Sequence, residues 1–196
     1  MTTTTFHPLA RRLLDAATPF LRIHGVTRCD WKRKMKKPTD PRIGPWRYSA
    51  KYDVIDDAAW NTRGEVLYLV TSAAGELKLV GESTNRLKDR WRKAPMYSVS
   101  SGEPLNDWSL FHSSAWKHIE KGLDQSPSVA FTVSAIFQPR LSEVCAQAGL
   151  QRTLERAQAH GKSVAYEVET FLCEAPEHGP TLWNVNKNPW ARRAGR

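Results

Sequence analysis

The sequence is poor in cysteine and contains no long apolar run. Its three cysteines, Cys29, Cys145 and Cys173, lie far apart in 196 residues and form no CxxC or Cys/His pattern. This spacing argues against a zinc site and predicts buried free thiols in a reducing compartment. No apolar stretch approaches the roughly 20 residues that a membrane-spanning helix needs, and the first residues lack the layout of a secretory signal. We therefore expect a cytoplasmic protein that does not act at a membrane.

Acidic residues are also scarce, with 20 Asp and Glu against 29 Lys and Arg, a net charge of +9. The excess is uneven, because residues 28–51 hold nine basic and two acidic residues and residues 184–196 hold four basic and no acidic residues. Two basic segments around a nearly neutral body are typical of a protein that grips a polyanion. A solvated charge run or a localisation tag is the alternative.

Aromatic residues among these cations favour nucleic acid as the polyanion. Trp31, Trp46 and Tyr48 lie inside the first basic segment, where rings could stack on sugars or bases. The basic side chains expected to contact DNA are Arg28, Lys32, Arg33, Lys34, Lys36, Lys37, Arg42, Arg47, Lys187, Arg192 and Arg193.

The hydrophobic pattern predicts an α+β protein. Apolar runs at 66–70 and 77–81, joined by an Ala-Ala-Gly turn, form a predicted hairpin, and alternation at 129–137 predicts a third strand. Residues 25–62 contain three prolines among the charges and are predicted to be loop-like. Helices are predicted at 6–23, 85–93, 108–121 (closed by Gly122), 141–158 and 164–175. The expected fold is a small three-stranded, mostly antiparallel sheet flanked by helices, with a basic N-terminal arm and a helical insert.

The order of several short motifs resembles the GIY-YIG nuclease family. The two strand motifs that name the family correspond here to residues 66–68 and 79–81. The second is followed by Ser83, Leu87, Arg90 and Trp91, similar to the family's run after its motif glycine. A late helix carries Glu169, with Asn184 fifteen residues beyond it. The resemblance covers roughly residues 64–93 and 164–188.

The resemblance implies a nuclease core over residues 64–196, with the helical insert at about 95–163, preceded by a helix and DNA-binding arm over residues 1–63. It implies catalytic roles for Tyr68, Arg90, Glu169 and Asn184. Tyr68 would act as general base or orient the attacking water, and Arg90 would contact the scissile phosphate. Glu169 would hold Mg²⁺ or Mn²⁺, which suits a hard-oxygen ligand.

Each of these residues also has a structural interpretation. Tyr68 could be a core residue of a strand, and Arg90 could form a helix-surface salt bridge with Glu65 or Asp89. Glu169 could be a surface acid, with Glu167 and Glu174 as competing metal ligands. Asn184 favours Glu169 among the three.

Two positions depart from the family pattern. Leu79 replaces the second motif tyrosine, and Ala94 stands where a histidine is often found. Tyr97, His112 and His118 are the available substitutes, although each is expected to be structural.

The expected function is metal-dependent cleavage of double-stranded DNA, sequence-specific in the manner of a restriction enzyme, by a homodimer because symmetric sites favour two-fold enzymes. One alternative is a structure-specific repair or mobile-element nuclease. The other is a non-catalytic nucleic-acid-binding protein on a decayed nuclease scaffold, which the departures at positions 79 and 94 favour.

Overall fold

Six antiparallel strands form one curled sheet in the order β4-β3-β6-β1-β2-β5. The computed structural model describes residues 8–30, 45–92, 96–102, 115–125, 130–176 and 181–184. Along the chain the elements are α1 (Pro8–Ala16), β1 (Thr18–Asp30), β2 (Pro45–Val54), α2 (Asp57–Asn61), β3 (Val66–Thr71), β4 (Leu77–Ser83), α3 (Leu87–Trp91), β5 (Met96–Ser98), α4 (Trp116–Gln125), β6 (Phe131–Phe137), α5 (Arg140–Gln147), α6 (Gln151–Ala159) and α7 (Val164–Glu174).

The expected three-stranded sheet is wrong, although the three strands predicted for it exist. They are β3, β4 and β6, and they lie next to each other at one end of the six-stranded sheet. The sheet continues because β1 pairs with β6, β2 with β1, and β5 with β2. The segment expected to be a basic arm therefore supplies two central strands of the same sheet.

The helix predicted at 6–23 ends at Ala16, and the chain continues as β1. Pro19, which is expected to end or kink a helix, lies in β1 beside a register shift, where a proline is tolerated. Residues 25–62, predicted to be loop-like, contain most of the β1–β2 hairpin. The loop prediction rested on the prolines and charges. It overlooked the period-2 pattern of β2, in which Trp46 and Tyr48 face the core and alternate with polar residues.

Two hydrophobic clusters cover the two faces of the sheet, because successive side chains in a strand point to opposite sides. On β3, Tyr68 belongs to the first cluster and Leu69 to the second. The first cluster is completed by buried residues of α2, α3 and α4, and the second by those of α1, α5 and α7. The sheet thus separates two helical layers.

Two predicted helices have different ends in the structure. α4 continues through Gly122 to Gln125, so that glycine does not end it. The helix predicted at 141–158 is divided into α5 and α6 at Gly149, whose φ of +75° is costly for any residue with a side chain. No helix in the described ranges is long and apolar enough to cross a membrane. Cys145 and Cys173 are buried thiols, as predicted, while Cys29 is half-buried.

Glu65 offers a test of how α7 is held against the sheet. Its Oε1 accepts hydrogen bonds from the backbone N of Ala165 at 2.9 Å and from Nε2 of Gln138 at 3.3 Å. Glu65→Ala removes both, and the free energy of unfolding should fall by about 1–2 kcal/mol, measured by urea denaturation. Glu143→Ala, which removes only an exposed ion pair with Arg140, should cost about 0.5 kcal/mol or less. Equal losses in the two variants would show that this link is unimportant.

Candidate active site

Four side chains from four parts of the chain meet beside β4. Tyr68 lies on β3, Arg90 on α3, Glu169 on α7, and Asn184 follows α7. The Arg90 Nε donates to the Tyr68 hydroxyl at 3.2 Å, and the Asn184 Nδ2 donates to the Glu169 Oε1 at 3.1 Å. Arg90 also interacts electrostatically with Glu169, which links the two pairs. The structure therefore brings together all four residues singled out from the sequence.

Asn184 binds to the outer edge of β4, which is an edge strand of the sheet. Its Oδ1 accepts from the backbone N of Val80 at 3.2 Å, and its Nδ2 donates to the Val80 carbonyl at 2.6 Å. The preceding residue, Trp183, donates its backbone N–H to the Lys78 carbonyl at 2.7 Å. An amide side chain suits this position because it donates and accepts as a peptide group does. Asn184 thereby extends the sheet and still donates to Glu169.

Gly81 makes room for Tyr68. The two residues are opposite each other on β4 and β3, and a Cβ at position 81 would overlap the Cζ and Oη atoms of the tyrosine. The indole of Trp91 meets the tyrosine ring edge-on at 5.5 Å between centroids. Tyr68 is therefore held between Gly81 of β4, which has no side chain, and Trp91 of α3.

Arg90 is held in its charged form. Burial acts against the charge of its guanidinium, but Tyr68, Glu82 and Glu169 together raise its pKa above the usual value. The surface partners suggested by the sequence are engaged elsewhere: Asp89 binds Arg86 at 3.0 Å, and Glu65 binds the start of α7. The arginine is thus part of a half-buried polar cluster rather than a helix-surface pair.

The three acids of α7 have different surroundings. Glu169 is 8% exposed and contacts Asn184. Glu167 is also buried, but it faces Arg156 of α6 at 3.5 Å and His160, which directly follows α6, at 4.0 Å. Glu174 is exposed near the end of the helix. Among the three, Glu169 is the one that the structure ties to Asn184 and Arg90.

The two positions that depart from the family pattern, and the residues considered as substitutes for them, have different surroundings. Leu79 is buried in the first hydrophobic cluster, while Ala94 and His112 lie outside the described residues. Tyr97 stacks on Trp46 at 4.5 Å, and burial, together with Glu120, raises its pKa to about 12. His118 stacks on Trp183 at 5.1 Å, and its pKa is lowered by burial and by Lys121 and Lys117.

Sequence reasoning missed the neighbours that hold the four residues. Glu82 raises the pKa of Arg90, the Trp91 ring contacts the Tyr68 ring, and the backbone of Trp183 pairs with Lys78 on β4 directly before Asn184. Glu82 and Trp91 stand within the motif run, and Trp183 directly precedes Asn184. Proximity in sequence was the only available signal, and it does not say which side chains turn towards the site.

Only two of the residues expected to contact DNA are among those described. Arg28 lies over the Trp46 ring at 4.4 Å, whereas strand alternation points Arg47 to the opposite face of β2. The stacking role expected for Trp46 and Tyr48 is wrong, because both are buried in the core at 7% and 6% exposure. Trp31 lies outside the described ranges. So do the other basic residues expected to contact DNA, which are Lys32, Arg33, Lys34, Lys36, Lys37, Arg42, Lys187, Arg192 and Arg193.

The residues present suit a magnesium ion better than a metal that needs several protein ligands. Among the described residues no group of three or more His, Cys, Asp or Glu side chains could hold a metal ion. Mg²⁺ commonly binds through one or two carboxylates and fills its other positions with water and phosphate oxygens. Glu169 is the carboxylate that fits this role. The side-chain oxygen of Asn184 is less suited to bind the ion, because it already accepts a hydrogen bond from the backbone N of Val80.

Comparisons with known proteins add no relatives. No protein-family model matches the chain, and no curated protein or solved structure is significantly similar to it. The resemblance to GIY-YIG nucleases thus stays an expectation from motif order.

Substitution of Gly81 tests the packing of Tyr68. Gly81→Ala should lower the free energy of unfolding by about 1–3 kcal/mol, measured by chemical denaturation, because the tyrosine ring has to move. Gly25→Ala is the matched control: its Cβ would come no closer than 3.3 Å to another atom, the Cβ of Lys51, and the substitution should cost less than about 1 kcal/mol. A Gly81 variant as stable as the Gly25 variant would contradict this packing.

Proposed function

We propose that this chain is a metal-dependent endonuclease that hydrolyses phosphodiester bonds of double-stranded DNA in the cytoplasm. The observation that carries the proposal is that two hydrogen-bonded pairs, Tyr68 with Arg90 and Glu169 with Asn184, lie near enough for Arg90 to interact electrostatically with Glu169. Phosphodiester hydrolysis needs a positioned water, a counter-charge for the pentacoordinate phosphate and help for the leaving oxygen. A phenol, a guanidinium and a carboxylate within one cluster can serve these needs.

Arg90 would stabilise the charge that develops on the phosphate. Its guanidinium is half-buried and keeps its proton under all ordinary conditions. In a partly dry site such a charge acts more strongly than in water. The Tyr68 hydroxyl accepts from the arginine Nε and thereby orients the guanidinium, whose Nη groups would bind the phosphate.

Tyr68 would also receive or direct the proton of the attacking water. An adjacent cation favours the ionised form of a phenol, and Arg90 is that cation. Because Tyr68 is only 2% exposed, orienting Arg90 is the role that needs the least rearrangement, and the general-base role requires a water to reach the hydroxyl.

Glu169 would hold the divalent ion, and Asn184 would hold Glu169. Bound Mg²⁺ or Mn²⁺ would neutralise charge on the phosphate oxygens. Asn184 fixes the position of the carboxylate through its bonds to β4. Sequence-specific cleavage in the manner of a restriction enzyme, by a homodimer, is the form of this activity that we propose.

Leu79 supports a second candidate, a DNA-binding protein without nuclease activity. This leucine is 2% exposed and cannot transfer a proton where the family places a tyrosine. The two candidates differ in a single measurement, the cutting of DNA.

Glu169→Gln should abolish that cutting. With Mg²⁺, wild-type protein should convert supercoiled plasmid to nicked or linear DNA, and the variant should be slower by about 100-fold or more, because a preorganised charge has been lost. Glu174→Gln is the matched control, since it removes an exposed carboxylate of the same helix and should leave the rate unchanged. If wild-type protein binds DNA but never cuts it, the second candidate is correct.

Arg90→Ala should reduce turnover by about 1,000-fold with little loss of DNA affinity. Arg90→Lys should recover only part of the rate, because an ammonium cannot make bidentate contacts. Arg86→Ala, which removes an exposed arginine paired with Asp89, should stay within about twofold of wild type. Cleavage rates, affinities and circular dichroism spectra are needed for all three, and an unfolded Arg90→Ala protein would assign the residue a structural role instead.

A further inference from the structure

The short segment that ends at Asn184 runs along the outer edge of β4 and packs on both faces of the sheet. Leu182 is buried in the second hydrophobic cluster, and Trp183 packs against the first. Consecutive side chains thus point to opposite faces, as they do in a strand. The backbone N–H of Trp183 donates to the Lys78 carbonyl at 2.7 Å. The position of Asn184 therefore depends on how the two preceding side chains are packed.

The Trp183 ring contacts rings of α4 and β6. It is nearly parallel to the imidazole of His118 on α4, with 5.1 Å between the centroids and 12° between the planes. It also meets the ring of Phe131 on β6 at 5.5 Å and 58°. Aromatic pairs at such distances add to the stability that burial alone provides. The ring pair of His118 and Trp183 thus joins α4 to the residue directly before Asn184.

The surroundings of His118 favour its neutral form. Burial lowers the pKa of the imidazole, and the positive charges of Lys121 and Lys117 on the same helix lower it further. Trp183 contacts the imidazole from the terminal segment, and Phe131 meets the other ring of the pair, and neither carries a charge. A proton on His118 would therefore act against the packed arrangement.

We infer that the His118–Trp183 ring pair positions Asn184 and, through it, the Glu169 carboxylate. Asn184 accepts from the Val80 N–H at 3.2 Å and donates to Glu169 at 3.1 Å. In the closed arrangement the ring pair and both of these hydrogen bonds are formed. In the open arrangement the rings separate, the terminal segment leaves β4, and the carboxylate loses this donor.

His118 is a positioning residue in this arrangement and exchanges no proton with a substrate. Its helix, α4, lies in the stretch that the sequence suggested to be an insert outside the nuclease core, and the ring pair gives that stretch a part in the site. The consequence for a divalent ion rests on the proposed function, because only there is Glu169 assigned to the metal.

The test measures amide hydrogen exchange at Val80 by NMR, because this N–H is released when Asn184 leaves β4. Protection factors are compared, since they remove the pH dependence of intrinsic exchange, and the amides of the central strand β3 are the internal reference. His118→Ala should lower the Val80 protection factor by about fivefold and leave those of β3 unchanged. His24→Ala is the matched control: this histidine of β1 is partly exposed and pairs with Asp53, and its loss should change neither.

The pH dependence distinguishes positioning by a neutral imidazole from a simple packing effect. In the open arrangement the pKa of His118 returns to its usual value of 6.5, so protons bind the open form first and favour it as the pH falls. The wild-type Val80 protection factor should be constant above about pH 7.5 and fall by up to about tenfold by about pH 5.5. His118→Phe keeps a ring against Trp183 and cannot be protonated. It should therefore restore the protection and abolish the pH dependence.

Mg²⁺ connects the ring pair with the proposed function. An ion that Glu169 binds only in the closed arrangement reduces opening by one plus the ratio of ion concentration to Kd, so Mg²⁺ at about ten times its Kd should raise the Val80 protection factor about tenfold. Calorimetric titration supplies the Kd. Glu169→Gln should abolish this response, although its side chain keeps an oxygen that accepts from Asn184.

The outcomes distinguish this inference from the proposed function. A wild-type Val80 protection factor in His118→Ala overturns the inference, as does a pH profile that His118→Phe shares with wild type. If His118→Ala does not fold, the pH profiles of wild type and His118→Phe decide alone. If these profiles differ as expected but Mg²⁺ has no effect, the positioning of Asn184 stands and the proposed ion site fails.

Discussion

The side-chain amide of Asn184 is the interaction on which the candidate site depends. It pairs with the backbone of Val80 on the outer edge of β4 and at the same time donates to Glu169. Without it, backbone groups of an edge strand would lack partners and a buried carboxylate would lose a donor, and both changes carry desolvation costs. Asn184 thus satisfies the backbone of the edge strand and orients the Glu169 carboxylate.

The edge of the sheet is where the two helical layers can contribute to one site. Tyr68 and the helix that carries Arg90 pack on the first face, while the helix that carries Glu169 packs on the second. A central strand would separate side chains from opposite faces. At β4 the arginine can interact with the carboxylate of α7, because no further strand lies between them in the described structure.

Local pattern predicted this region, β6 and most of the helices, but it missed β1 and β2. The β3–β4 hairpin and α7 have regular apolar patterns with clear ends, and the motif order predicted that the four polar residues lie in one site. By contrast, β1 and β2 are rich in charges and prolines, and their strand character depends on pairing with β6 and on burying Trp46 and Tyr48. Such tertiary support has no local signal.

The close approach of Gly81 to Tyr68 has a consequence for how this chain can diverge. The two positions form a single steric unit, because a methyl group on one occupies the volume of the ring on the other. Sequences descended from this one should lose or keep the pair together: an alanine or serine at 81 becomes acceptable only after the ring at 68 has shrunk. Covariation between these two columns would then trace which lineages still retain a phenol beside Arg90.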